Sequence, residues 1–336
     1  MAKSRLPGEF ELIARYFAPL SEGFEGAYGL RDDVAVMTPG SGKQVVAKTD
    51  AIVAGVHFLP DDPAGLVAQK ALRVNLSDLA AKGAVPLCYM LDLILPSETT
   101  EEWVAAFAAG LARDQETFGV HLIGGDTNAT PGALTVAIAL LGEIDHNQTL
   151  RRGGARPGDV IFVTGTVGDA ALGLVALLGE LGEIDPAKAD WLIGRYRLPV
   201  PRVGVGPQLT NLATASIDIS DGLIADLGHV CEVSGLSADV EVARVPFSAA
   251  ARTAINTDRA LLEAALTGGD DYEILFTAPE EETDGIEQLS RRSSVPITAI
   301  GRMRKAPTET QERVILRDSS GQPMKILRDG WQHFQG

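Results

Sequence analysis

Ala71-Leu72-Arg73-Val74-Asn75-Leu76-Ser77-Asp78-Leu79-Ala80-Ala81-Lys82-Gly83-Ala84, wound as a helix, is apolar on nearly every side, and a helix of that kind has to be buried. Asp78 sits in its middle. An unpaired buried carboxylate costs several kcal/mol, so this stretch predicts a cation, a cluster of donors or a metal against Asp78. The alternative is a helix-surface pair with Lys82, one turn further on. Upstream, Asp62-Pro63 supplies an N-cap and a proline at the first helical position, while Gly83 and Pro86 supply the stop, which gives a helix of about 20 residues.

The chain around it has 336 residues, 45% of them hydrophobic, which is more core than one domain normally holds. A net charge of −16 with no stripe of Lys and Arg argues against nucleic acid as a partner. The two cysteines, Cys88 and Cys231, follow no metal-ligand spacing and form no secreted framework, so a cytoplasmic setting is expected. Residues 1–10 lack the apolar core of a signal peptide, and no apolar run is long enough for a membrane span.

Working outward towards the N-terminus, Thr49-Asp50 closes an expected strand from Gln44 and leads into Gly55-Val56-His57-Phe58. Before it, Asp32-Asp33 run straight into a short apolar strand, Val34-Ala35-Val36, and Glu9 to Leu20 reads as an amphipathic helix. Gly40-Ser41-Gly42-Lys43-Gln44 has neither the first glycine nor the hydroxyl of a nucleotide loop and reads as a turn.

Towards the C-terminus, Cys88 to Leu95 is a strand, Thr99-Thr100-Glu101-Glu102 caps a helix running towards Phe118 and Gly119, and Val120 to Ile123 opens into Gly124-Gly125-Asp126-Thr127-Asn128. Paired glycines there let backbone approach a ligand closely. Ala133 to Leu141 ends the first half. The polar, glycine-rich segment from Asp145 to Asp159 places a boundary that divides the chain into residues 1–148 and 149–336. Beyond it come a strand from Val160 to Thr164, a helix from Asp169, and the acidic stretch Asp218-Ile219-Ser220-Asp221-Gly222, in which Ser220 is positioned to cap the next helix. Gly268-Gly269-Asp270-Asp271-Tyr272-Glu273 then repeats the glycine-acid pattern ahead of a strand. Trp331, near the end, is either terminal packing or a stacking platform.

Asp33, Asp50, Asp78, Asp126, Asp218 and Asp221 thus fall at strand ends, glycine turns or in a buried helix. Two carboxylates about 5 Å apart repel by roughly 3 kcal/mol at an effective dielectric of 20, so a cluster of them needs cations. Oxygen donors without His or Cys point to Mg2+, and Mg2+ among carboxylates points to phosphoryl transfer.

These stretches, in this order, resemble the thiamine-monophosphate kinase family, of the aminoimidazole ribonucleotide synthetase and selenophosphate synthetase group. The resemblance implies an α/β fold of two aminoimidazole ribonucleotide synthetase-like domains without a P-loop, the N-terminal one (1–148) binding ATP and metal and dimerising through its sheet. It implies ATP-dependent phosphorylation of thiamine monophosphate to thiamine diphosphate by a homodimer, with several Mg2+ ions and without nucleic acid or membrane. Carried over position by position, Asp33, Thr49, Asp50, Asp78, Asp126, Asp218 and Asp221 hold metal, with Asp50, Asp78 and Asp218 as the catalytic set. Gly125, Asp126, Arg152 and Ser220 contact ATP, and His57, Asp270 and Trp331 contact the thiamine substrate. The chain departs from the family pattern at Arg31 (usually glycine), Lys48 (often serine) and Asp270 (usually glutamate). Another ATP-using enzyme of the same group, or a non-catalytic Mg-nucleotide-binding protein, is the alternative function. The group's reactive or C-terminal cysteines are absent, since no cysteine precedes Cys88 and the chain ends His333-Phe334-Gln335-Gly336.

Overall fold

A computed structural model of the chain describes residues 6–306 and 313–325. The chain divides into two compact units, one made of Met1–Leu79 and Ala84–Asn147, the other of Ala80–Gly83 and Gln148–Gly336.

The first unit starts with α1 (Glu9–Leu12), which runs on through a wide π turn and a 3-10 turn instead of the continuous helix expected to Leu20; Pro19 lies in that last turn. Its sheet contains β1 (Lys43–Val53), β2 (Val85–Pro96), β3 (His121–Thr130) and β4 (Thr135–Asp145) in the order β1-β4-β2-β3. β4 is antiparallel to β1 and β2, whereas β2 and β3 are parallel and joined by α3 (Glu101–Phe118). Burial alternates along β4, with Val136, Ile138 and Leu140 fully inside, as a sheet covered on one face requires. The central helix, α2 (Ala64–Ala81), buries Ala68, Leu72, Leu76 and Leu79. Thr100 caps α3 by accepting from the Trp103 amide, and Gly119 ends it in the left-handed conformation.

Three local expectations differ. Val34–Val36 lie outside the sheet, and the Val36 amide donates to the Gly26 carbonyl at 2.8 Å instead. Asp50 does not close β1; it pairs with Ile138 well inside the strand. Gly124-Gly125-Asp126 is likewise part of β3, because parallel pairing with β2 extends to Thr130. Gly125 has φ +143°, and a Cβ there would stand 1.9 Å from the Leu91 carbonyl oxygen, so only glycine lets the strands approach at this point.

The second unit carries β5 (Val160–Thr164), α4 (Asp169–Leu177), α5 (Pro186–Arg197), β6 (Ala215–Asp218), α6 (Leu223–Ser234) and β7 (Leu236–Glu241). There follow α7 (Ala249–Thr257), α8 (Leu261–Thr267), β8 (Ile274–Ala278), α9 (Thr283–Ser293), β9 (Ile297–Lys305), β10 (Val314–Arg317) and β11 (Pro323–Met324). Among the described residues these strands form one sheet, ordered β11-β10-β7-β9-β5-β8-β6. β5 and β8 are buried along their whole length. Ile161, Val163 and Leu275 pack with α6 residues, while Val160, Phe162 and Phe276 pack on the other face with Ile286 and Leu289 of α9. Helices on both faces explain the unbroken apolar runs of these strands. Among the described residues no helix is long and apolar enough to cross a membrane.

Candidate functional site

In the first unit, Asp32, Asp33, Gly125 and Asp126 line one cavity of about 390 Å³, with Met90 and Ile123 among its apolar walls. The Asp126 carboxylate accepts from the Thr127 amide at 2.8 Å and the Asn128 side-chain amide at 2.5 Å. Among the described residues no lysine or arginine forms an ion pair with Asp32, Asp33 or Asp126. Oxygen donors without a resident cation suit a hard divalent ion.

A second group of acids in this unit is arranged differently. Alternation along β1 puts Lys48 and Asp50 on the face that α2 covers, and the side chain of Thr49 on the opposite face. The Lys48 ammonium lies 2.8 Å from Asp78 Oδ2 and 3.2 Å from Asp50 Oδ1, so it spans the two carboxylates. Burial opposes its charge, but the Asp78 and Asp50 carboxylates outweigh that and leave its pKa above the usual lysine range. Burial raises the Asp50 carboxyl, and the Asp78 charge adds to the rise while Lys48 works against it. Asp78 therefore meets a cation, as its setting demands, and that cation is Lys48 and not Lys82. Lys82 Nζ donates to the Ser216 carbonyl at 2.7 Å. The cavity at Asp33 and Asp126 fits the metal the family implies, but the space between Asp50 and Asp78 is filled by an ammonium.

His57 lies in the tight turn after β1. Its Nδ1 accepts from the Val53 amide at 3.1 Å, which places the ring proton on Nε2, and its carbonyl accepts from Lys70 Nζ at 2.9 Å.

In the second unit two acidic loops are fastened to each other through their backbones. The amides of Asp270 and Tyr272 donate to the carbonyls of Ser220 and Ile219, each at 2.8 Å, and the Ile219 amide donates back to Glu273. A Cβ on Gly269 would stand 2.2 Å from the Ser220 carbonyl oxygen, which accounts for that glycine. Asp270 and Tyr272 hold φ of +64° and +52°, an unfavourable conformation for either residue, and the Tyr272 hydroxyl donates to Asp270 Oδ1 at 3.1 Å. The loop is anchored from behind by Glu273, which is fully buried and receives Arg195, Arg202 and the Thr164 hydroxyl. Asp271, also buried, accepts from the Gly168 amide at the start of α4. Burial pushes the Asp271 carboxyl well above its usual range.

Asp218 is buried at the end of β6, and Asp221 is half-buried ahead of α6. Ser220 does not cap that helix. The N-cap is Gly222, and the amides of Ser220, Asp221 and Gly222 all donate to Oδ2 of Asp226 inside the first turn. Burial, then the Asp218 and Asp221 charges, push the Asp226 carboxyl well above its usual range against those amides. Asp221, Asp226 and His229 bring ligand atoms within 4.8 Å of one another. Sequence reading missed Asp226 and His229; their three-residue spacing on α6 is the signal that places both on one helix face. Arg152 is exposed, and Trp331 lies outside the described residues.

Residues 31–144 match the family model of the AIR synthase related protein N-terminal domain, and residues 156–312 that of its C-terminal domain. The thiamine-monophosphate kinase of Escherichia coli (strain K12) is 42% identical over 329 residues, covering 97% of this chain and 98% of that protein. The crystal structure of thiamine-monophosphate kinase from Stenotrophomonas maltophilia K279a superposes with a TM-score of 0.82 at 37% identity, covering 92% of this chain and 96% of the other. AaThiL complexed with AMPPCP and TMP gives a TM-score of 0.76 at 32% identity, covering 99% and 100%. Two AIR synthase-related domains in this order, with that identity along almost the whole length, mean that the chain belongs to the thiamine-monophosphate kinase family.

Proposed function

We propose that this chain transfers the γ-phosphoryl group of ATP to the phosphate of thiamine monophosphate, forming thiamine diphosphate. The observation that carries the reading is the cavity in which Asp33 and Asp126 stand without a cationic partner among the described residues. Support comes from AaThiL, solved with AMPPCP and TMP. The acceptor is an anionic phosphate that needs no strong general base, so the demand on the protein is alignment and charge neutralisation. Asp33, Asp126, Asp218 and Asp221 would hold Mg2+; Asp50 and Asp78, which the family resemblance also assigns to metal, hold the Lys48 ammonium between them in this chain, and Thr49 is assigned by the resemblance alone. When bound, the metal would neutralise phosphate charge as the two anions approach. Gly125 brings bare backbone to the nucleotide, with Arg152 and Ser220 as further contacts. His57, Asp270 and Trp331 are assigned to the thiamine moiety, whose cationic thiazolium suits an acidic surrounding.

We further propose a cytoplasmic homodimer that pairs through the first unit's sheet, with residues 1–148 as the ATP- and metal-binding domain and 149–336 as the second. In that sheet Val45 and Val85 both stand opposite Glu143, and both are exposed. Sedimentation of the purified protein tests the dimer. A coupled assay with Mg-ATP across thiamine monophosphate, thiamine and purine precursors tests the activity. Turnover with thiamine monophosphate is expected; none with any acceptor, despite Mg-ATP binding, would favour a non-catalytic Mg-nucleotide-binding protein.

A further inference from the structure

We propose that Lys48 is a built-in cation that takes the place of a divalent ion between Asp50 and Asp78, so that this chain holds one metal ion fewer than it would with a small residue at position 48. The inference rests on the metal-binding reading above and adds to it how many ions the site takes.

Lys48 and Asp50 share one face of β1, and Asp78 meets them from α2. The ammonium lies within hydrogen-bond distance of a carboxylate oxygen on each residue, at 2.8 and 3.2 Å. A divalent ion held by the same two oxygens would need contacts of about 2.0–2.1 Å to each, in the space the ammonium fills. Two cations cannot share that space. One ammonium also relieves the repulsion between the two acids, so they need no metal there in order to stay folded. Among the described residues no lysine or arginine forms an ion pair with Asp33 or Asp126, which leaves their cavity open to metal. The chain therefore combines a metal-dependent pair of acids with a lysine-bridged pair.

Counting bound Mn2+ by electron paramagnetic resonance of the free ion tests this directly and without turnover. The proteins are the intact wild type, Lys48→Ser and Lys48→Gln, each checked for folding by circular dichroism. Gln removes the charge while keeping most of the volume, and it serves if Ser does not fold. The expected result is one additional Mn2+ per chain in the neutral variants, with Asp78→Asn abolishing the gain when added to Lys48→Ser. Equal, non-zero counts in wild type and variants would overturn the inference and leave the kinase reading standing. No bound Mn2+ in any of the proteins would overturn both.

Discussion

Arg202 meets Glu273 with two parallel hydrogen bonds, Nε to Oε2 at 2.6 Å and Nη2 to Oε1 at 2.5 Å, and the carboxylate has no solvent exposure at all. Arg195 adds a third at 3.1 Å, and Thr164 a fourth at 2.7 Å. A pair this deeply buried is expensive to break, because removing one partner strands the other charge. Glu273→Ala should therefore cost about 3–5 kcal/mol, read as a lowered denaturant midpoint. Arg195→Met should cost less, since Arg202 and Thr164 still satisfy the carboxylate. Equal losses in the two variants would mean that the pair does not anchor the Asp270 loop as described.

Asp78→Asn keeps the shape of the side chain but halves the negative charge around Lys48. Turnover should fall by about a hundredfold or more while the circular dichroism spectrum is unchanged. A variant that retains wild-type specific activity would remove Asp78 from the machinery.

Asp126→Asn weakens the oxygen set of the cavity shared with Asp33. The magnesium concentration for half-maximal activity should rise by about tenfold or more, and a chelator should stop turnover reversibly in wild type and variant alike. An unaltered magnesium requirement would place the metal elsewhere.

Gly110 of α3 crosses Gly65 of α2 so closely that a Cβ would stand 2.3 Å from the Gly65 carbonyl oxygen. Gly110→Ala should destabilise by about 1–3 kcal/mol, because backbone has to move. Gly194, inside α5, has nothing within 4 Å of its would-be Cβ, and Gly194→Ala should be neutral or stabilising by up to about 1 kcal/mol. The thermal midpoint should fall for Gly110→Ala and hold or rise for Gly194→Ala.

Cys88 and Cys231 are both buried free thiols, and burial pushes them up to about 11 and about 12 from an ordinary value of 9.0. Since the folded values lie above the unfolded one, the stability these neutral thiols contribute is complete below pH 9.0 and is lost as pH rises through about 11 and about 12. Native protein at pH 8 should resist a thiol reagent, and denatured protein should release both cysteines to it. Rapid labelling of the native chain would show that one of them is accessible.

What the sequence determined by itself was whatever a few neighbouring residues decide. The apolar circuit of α2, the Thr100 cap and Gly119 stop of α3, and the unbroken apolar runs of β5 and β8 are written in local periodicity and capping chemistry, and the structure has each of them. The demand that Asp78 find a cation, a cluster of donors or a metal was legible too, because it follows from the cost of taking a charge out of water. Which cation answers it was decided by tertiary structure. Lys48 is thirty positions away along the chain and reaches Asp78 only because β1 pairs with β4 in one register and α2 lies across that face. Pairing between strands likewise carried Asp50 and Asp126 into strand interiors and left Val34–Val36 outside. Strand register and the partner of a charge are set by contacts between distant segments, and no local pattern encodes them.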